Sequence, residues 1–80
     1  MHMELFSEIK TMIEKILAVD AETVTKDAHL QFDLGADSLA LLTLSIAISE
    51  KYGIELLADD IIETENIGEL ISLVESRINA

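Results

Sequence analysis

The sequence predicts an all-α fold: a small four-helix bundle, three main helices plus one short helix, with a long loop between helices one and two. Three observations carry this expectation. Apolar residues recur at helical spacing in three separate segments. Apolar residues make up 50% of the chain and aromatics only 4%, which favours an aliphatic helical core over a β-sandwich. The 80 residues include no cysteine and no proline, so neither disulfides nor a thiolate metal site can staple the fold. Helix packing has to stabilise it.

The first helix is expected over residues 3–18. Leu5, Ile9, Met12 and Ile16 recur at helical spacing, Phe6, Ile13 and Leu17 widen the stripe, and Glu4, Glu8, Lys10, Glu14 and Lys15 take the other side. A connection over residues 19–37 follows, rich in Asp, Thr and Gly. Connections beyond ~12–15 residues are uncommon in compact domains and often functional. Val24, Leu30 and Leu34 are spaced to pin this one to the core.

The second helix begins near Asp37 or Ser38, both good N-cap types, after the turn residue Gly35. It runs to Tyr52, where Gly53 suits the left-handed position that ends helices. From Leu39 through Ser49 it carries no charged residue. One stripe is Leu41, Leu44, Ser45, Ile48 and Tyr52; a second, nearly opposite, is Leu39, Leu42 and Ile46. A helix apolar all round is normally buried, but a chain this short can hardly cover one on every side. One of the two stripes is therefore expected to face a partner or a ligand, with a fully enclosed central helix as the alternative reading.

Residues 54–57 lead to a brief third helix over 58–63, and Thr64, Glu65 and Asn66 read as a break and a cap. The last helix is expected to bury Ile67, Leu70, Ile71, Val74 and Ile78 and to turn Glu69, Ser72, Glu75 and Arg77 outward. No repeat, low-complexity tract or linker divides the chain, so residues 1–80 read as a single domain.

Sixteen acids against five bases leave a net charge of −11. That charge repels nucleic acid and anionic membrane surfaces and favours proteins that present Lys and Arg. Met1-His2-Met3-Glu4 lacks the basic start and apolar run of a signal peptide. The most apolar window, residues 39–48, falls short of the ~20 needed to span a bilayer. The reading is a cytoplasmic monomer without membrane insertion.

Catalytic constellations are scarce. His2 and His29 have no paired ligand at metal spacing and read as solvated or structural histidines. The G-x-S-x-G elbow is absent, the lone Gly-x-Asp-Ser run is too short for a Walker loop, and Asp33 and Asp37 lack the other ligands of an EF-hand. Asp59, Asp60, Glu63 and Glu65, like Asp20, Glu22 and Asp27, read as solvated acidic faces. Ser38 stands out by position alone. A phosphate ester there would meet the free N–H groups and positive dipole end of an apolar helix. On the residues alone, a simple capping role for Ser38 is the better-supported alternative.

Asp33-Leu34-Gly35-Ala36-Asp37-Ser38-Leu39 resembles the phosphopantetheine attachment motif of discrete acyl carrier proteins. The similarity continues in Asp20-Ala21-Glu22-Thr23-Val24-Thr25-Lys26-Asp27-Ala28, in Tyr52-Gly53-Ile54-Glu55-Leu56 and in Asn66-Ile67-Gly68-Glu69-Leu70, so it covers nearly the whole chain. It implies a non-catalytic carrier. Acyl groups would be held as thioesters on a 4′-phosphopantetheine arm attached to Ser38, flanked by Asp37 and Leu39. Holo-acyl-carrier-protein synthase would load the arm from coenzyme A with magnesium.

The resemblance also implies delivery to fatty-acid, lipid or polyketide enzymes. The partners would be acyltransferases, ketosynthases or acyl-ligases whose basic patches dock against Leu42, Ile46, Glu50, Asp59, Asp60 and Glu63. An interior lined by Leu44, Ile48, Ile71 and Val74 would shelter the acyl chain. An aminoacyl or peptidyl carrier, and an unmodified helical interaction domain, are the alternative readings.

Residues 27–75 hold eleven acids and one base, Lys51, or −10 of the total. Yet the acids that the family usually places at the positions of Ala40, Thr43 and Ser49 are missing. Leu57 stands where proline is common, and Phe32 where an acid is frequent. The pattern suggests a specialised carrier, with its outer apolar stripe kept and much of its helix-two charge lost.

Overall fold

The computed structural model describes residues 2–80, with side chains from Glu4 onward, so the expectation for the His2 side chain lies outside the described residues. Four helices follow in order: α1 (His2–Leu17), α2 (Ser38–Tyr52), α3 (Ala58–Ile62) and α4 (Ile67–Ile78). A single 3-10 turn, Ala21–Thr23, interrupts the long connection, and no strand occurs among the described residues. Among the described residues, no helix is long and apolar enough to cross a membrane.

α1 buries a seam of Leu5, Ile9 and Ile13 against α2 and α4. Met12 and Ile16, expected in the stripe itself, are only half-buried at its edge. The helix ends one residue earlier than its pattern predicts. Ala18 takes a left-handed φ of 55°, and the next N–H, on Val19, bonds back to the Glu14 carbonyl at 3.2 Å. Left-handed backbone at a helix end normally recruits glycine, because a Cβ crowds the following carbonyl.

The long connection works as a fourth wall of the core. Val24, Ala28, Leu30, Leu34 and Ala36 are all buried, and the carbonyls of Lys26 and Ala28 accept the first two N–H groups of α4, from Gly68 and Ile67, both at 2.9 Å. Asn66 completes that helix start. Its Oδ1 accepts the Glu69 N–H at 2.8 Å, while Glu69 Oε1 accepts the Glu65 N–H at 2.9 Å. The N–H groups of the first three residues of α4, which a helix start leaves open, thus all find acceptors.

α4 buries Ile67, Leu70, Ile71 and Val74 as its spacing predicts. Ile78 departs from the expectation. It is 41% exposed, because in the last turn it lines a surface groove with Leu5 and Tyr52 instead of meeting a covering element. Tyr52 closes the far end of α2 onto α1 by donating its hydroxyl to Glu8 Oε1 at 2.6 Å. Burial, then the Glu8 carboxylate, hold that phenol well above its ordinary range, so it stays a donor.

α3 is one short helix held by its neighbours. Asp60 Oδ2 accepts the Leu57 N–H at 2.9 Å, and Arg77 of α4 reaches both that carboxylate, at 3.4 Å, and the Glu55 carbonyl, at 2.6 Å. Asp60 is therefore half-buried and structurally engaged, unlike the freely presented docking acid that its sequence position suggests. The Leu57 N–H and then Arg77 hold its carboxyl below the usual carboxylate range.

Two outcomes follow for stability. Gly53 ends α2 at φ 65°, so Gly53→Ala should cost about 1 kcal/mol in urea denaturation, whereas Ala18→Gly should shift stability the other way. The lowered Asp60 value means that its ionised form stabilises the fold above the unfolded carboxylate value, and that this contribution is lost as pH falls through the folded one. Asp60→Asn should therefore destabilise at neutral pH, and the gap from wild type should close as pH drops below about 4. A gap independent of pH would contradict the assignment.

Candidate functional site

The start of α2 is built by the turn that precedes it. His29 donates its backbone N–H to Asp33 Oδ2 at 2.8 Å, and its Nδ1 accepts the N–H groups of Gln31 and Phe32, both at 3.1 Å. The His29 carbonyl accepts from Asp33 and Leu34, and Ala36 bonds back to the Leu30 carbonyl at 2.9 Å. His29 is thus the structural histidine its position suggests. The Phe32 ring stacks on it, 4.3 Å between centroids, yet remains 85% exposed. Gly35, at φ 75°, then reverses the chain into the helix, a conformation that a Cβ would disfavour.

Asp37, not Ser38, caps α2. Its backbone is extended, and its Oδ1 accepts the Ala40 N–H at 2.8 Å, while the Leu41 N–H closes the first helical turn onto the Asp37 carbonyl. The capping role that competes for Ser38 on sequence grounds is therefore already filled. Ser38 is the first helical residue and exposed. No described group bonds its hydroxyl, and its own N–H and that of Leu39 have no acceptor among the described residues. The position meets what a serine-linked phosphodiester needs: an open hydroxyl, space, and two free N–H groups at the positive end of a helix.

The two stripes of α2 separate cleanly. Leu41, Leu44, Ser45 and Ile48 are buried in the core, whereas Leu39 is 70% exposed and Leu42 and Ile46 are about half exposed. Leu57 and Ile62 add to the exposed apolar surface on the α3 side. Glu50, Asp59 and Glu63 are exposed at its margin. Of the positions without the expected acids, Thr43 donates its hydroxyl to the Leu39 carbonyl and Ala40 is half-buried. Ser49 brackets Leu56: its Oγ donates to the Leu56 carbonyl at 3.1 Å and accepts the Leu56 N–H at 3.0 Å.

Leu44, Ile48, Ile71 and Val74 all lie in the one core cluster, close-packed and nearly inaccessible. The open space is elsewhere. A groove of about 440 Å³ runs between α2 and the segment leading into α3, lined by Leu42, Ser45, Ile46, Ser49, Leu56 and Leu57 among others. A second groove, about 380 Å³, flanks the helix start between Leu17 of α1 and Asp37, Leu39 and Thr43.

Comparison with known proteins agrees with this geometry. The family described as "Phosphopantetheine attachment site" matches residues 7–74. The acyl carrier protein of Helicobacter pylori strain G27 is 38% identical over 73 residues, covering 91% of this chain and 94% of that protein. The acyl carrier protein of Guillardia theta is 36% identical over 77 residues, with 96% and 95% covered. That of Thermotoga maritima is 35% identical over 75 residues, with 94% and 93% covered. Nothing in these likenesses favours a peptidyl carrier or an unmodified interaction domain. The chain belongs to the acyl carrier proteins, carriers rather than catalysts, which hold acyl groups on a 4′-phosphopantetheine arm borne covalently by a serine.

Proposed function

We propose that Ser38 is the serine that bears the arm. The observation that carries this is the division of labour at the start of α2. Asp37 takes the cap, which leaves the Ser38 hydroxyl exposed and unengaged. When bound, the arm supplies the thiol that a chain without cysteine lacks. Around it, the free N–H groups of Ser38 and Leu39 offer donors to a phosphate, and the exposed Leu39 offers an apolar contact to a modifying enzyme. Asp37 holds the helix start in place through the modification.

Holo-acyl-carrier-protein synthase, using coenzyme A and magnesium, is the enzyme proposed to modify Ser38. Acyltransferases, ketosynthases or acyl-ligases are the proposed acceptors. Their docking surface on the carrier is the exposed stripe Leu42 and Ile46 with Glu50, Asp59 and Glu63 at its margin; Asp60 contributes mainly by fixing α3. The interior bounded by Leu44, Ile48, Ile71 and Val74 is proposed to part around an acyl chain. The described residues share one core, which supports reading residues 1–80 as a single carrier domain; a cytoplasmic monomer is its proposed working state.

The uncharged run of α2 supports a specialised rather than a general carrier of fatty-acid synthesis. Surface charge chiefly tunes encounter rate and partner choice, and an exposed pair is worth ~1 kcal/mol or less. Three absent acids then lower affinity for general partners by about an order of magnitude or more.

Coexpression with a phosphopantetheinyl transferase, followed by intact-protein mass measurement, should add the arm mass to wild type and nothing to Ser38→Ala. Equal gain in both would remove Ser38 from the role. In transfer assays, a general fatty-acid ketosynthase and malonyl transferase should work on this carrier at least tenfold less efficiently than on their own. Normal rates with both would show that it serves them.

A further inference from the structure

We propose that the end of the bundle opposite Ser38 is a second docking surface, and that its occupant is an amphipathic helix of a partner protein, one apolar stripe flanked by Lys or Arg. The groove there measures about 780 Å³, against about 440 and 380 Å³ for the two beside α2. Three helices meet to form it: α1 by its first turns, α2 by its last residue and α4 by its last turn. Tyr52 ends α2 about 21 Å along the axis from Ser38, at ~1.5 Å per residue. A helix seated here leaves the start of α2 open, and the surface does not depend on what Ser38 carries.

The floor of the groove is apolar and incompletely covered. Leu5 is buried and Tyr52 half-buried, but Ile78 is 41% exposed although it continues the core spacing of Leu70, Ile71 and Val74 along α4. A docked side chain would give Ile78 the cover that its register calls for. The floor is also fixed in advance. The Tyr52 hydroxyl donates to Glu8 Oε1 at 2.6 Å, which ties α2 to α1 across the groove, so little ordering is left for a ligand to impose.

The rim selects the sign of the occupant. Glu4 and Glu8 line the α1 side, Glu75 lines the α4 side, and no Lys or Arg lines either. Lys51 packs over the Tyr52 ring, 5.8 Å from its centroid, without lining the groove. Glu4 answers the positive end of α1, whereas α2 and α4 both bring negative, C-terminal dipole ends to this place. A second copy of the chain is thereby disfavoured, since a two-fold contact would set carboxylates against carboxylates. Glu4 and Glu8 stand one helical turn apart, a spacing that bases at i and i+4 of a partner helix reproduce while its apolar stripe meets Leu5, Tyr52 and Ile78. Such a partner holds the carrier by the end away from the attachment serine.

The probe is a synthetic amphipathic peptide of about four helical turns, with Leu on one stripe, Lys at i and i+4 on either side, and Ala and Gln elsewhere. It is titrated into isotope-labelled protein and followed by amide chemical shifts at ~150 mM salt, where a screening length of ~8 Å suppresses unspecific attraction. Saturable shifts should centre on Leu5, Tyr52 and Ile78. Ile78→Ser keeps the net charge and, at an exposed position, the fold; it should weaken binding about fivefold to tenfold, as the loss of one covered aliphatic contact. Glu4→Gln should weaken it about twofold to threefold. Asp27→Asn, the same charge change next to the Lys26 carbonyl that caps the start of α4, should leave it unaltered. The peptide with Glu in place of Lys should not bind. Absence of saturable shifts, shifts centred on Leu42, Ile46 and Asp59, equal affinity for wild type and Ile78→Ser, or equal weakening by Asp27→Asn and Glu4→Gln would each overturn the proposal.

Discussion

Three long helices do not close a core by themselves in this chain; a connection without long regular structure does. Its buried residues, Val24, Ala28, Leu30, Leu34 and Ala36, fill the side that a further helix would otherwise cover. Its carbonyls at Lys26 and Ala28 finish the N-terminus of α4. Because this loop is tied to α4 near its middle and folded on itself by the His29 turn near its end, the residues that enter α2 have little freedom left. The placement of Asp37 and Ser38 is a downstream result of how the core is sealed.

α2 then has to satisfy two solvents at once. One stripe sits in the core and the other in water, and the water-facing one is aliphatic rather than charged. The acids are displaced to its margins and to α3. A partner that lands on such a face gains mainly from the area it removes from water, and attraction between charges guides its approach. Apolar contact dictates how tightly it holds. The same arrangement keeps the charged perimeter from having to be desolvated, which is where ionic contacts lose most of their value.

Much of this was legible in the residues. Helical spacing located all four helices to within a residue or two, and the absence of charge between Leu39 and Ser49 foretold an exposed apolar stripe on α2. What escaped was decided by through-space partners. Asp60 looks in sequence like its acidic neighbours, and only the approach of Arg77 and the Leu57 N–H distinguishes it. Ile78 has core spacing but nothing above it. Ala18 fits a helical pattern and still adopts a left-handed turn. At Ser38 the sequence offered two good caps side by side, and only the backbone shows which one bends over the helix end. The groove depends on where residues 54–57 run, which no periodicity encodes.

α3 is five residues long, shorter than two helical turns, and so retains few hydrogen bonds of its own. Its position is set by a guanidinium from α4 and by a serine bracket from α2, both acting on the segment that leads into it. An element secured this way can swing or fray while the rest of the core stays shut, because the bonds that must break are few and peripheral. The groove floor belongs to the rigid part of the molecule, and one of its walls to the compliant part. Its width is therefore adjustable at small cost while the bundle behind it stays shut.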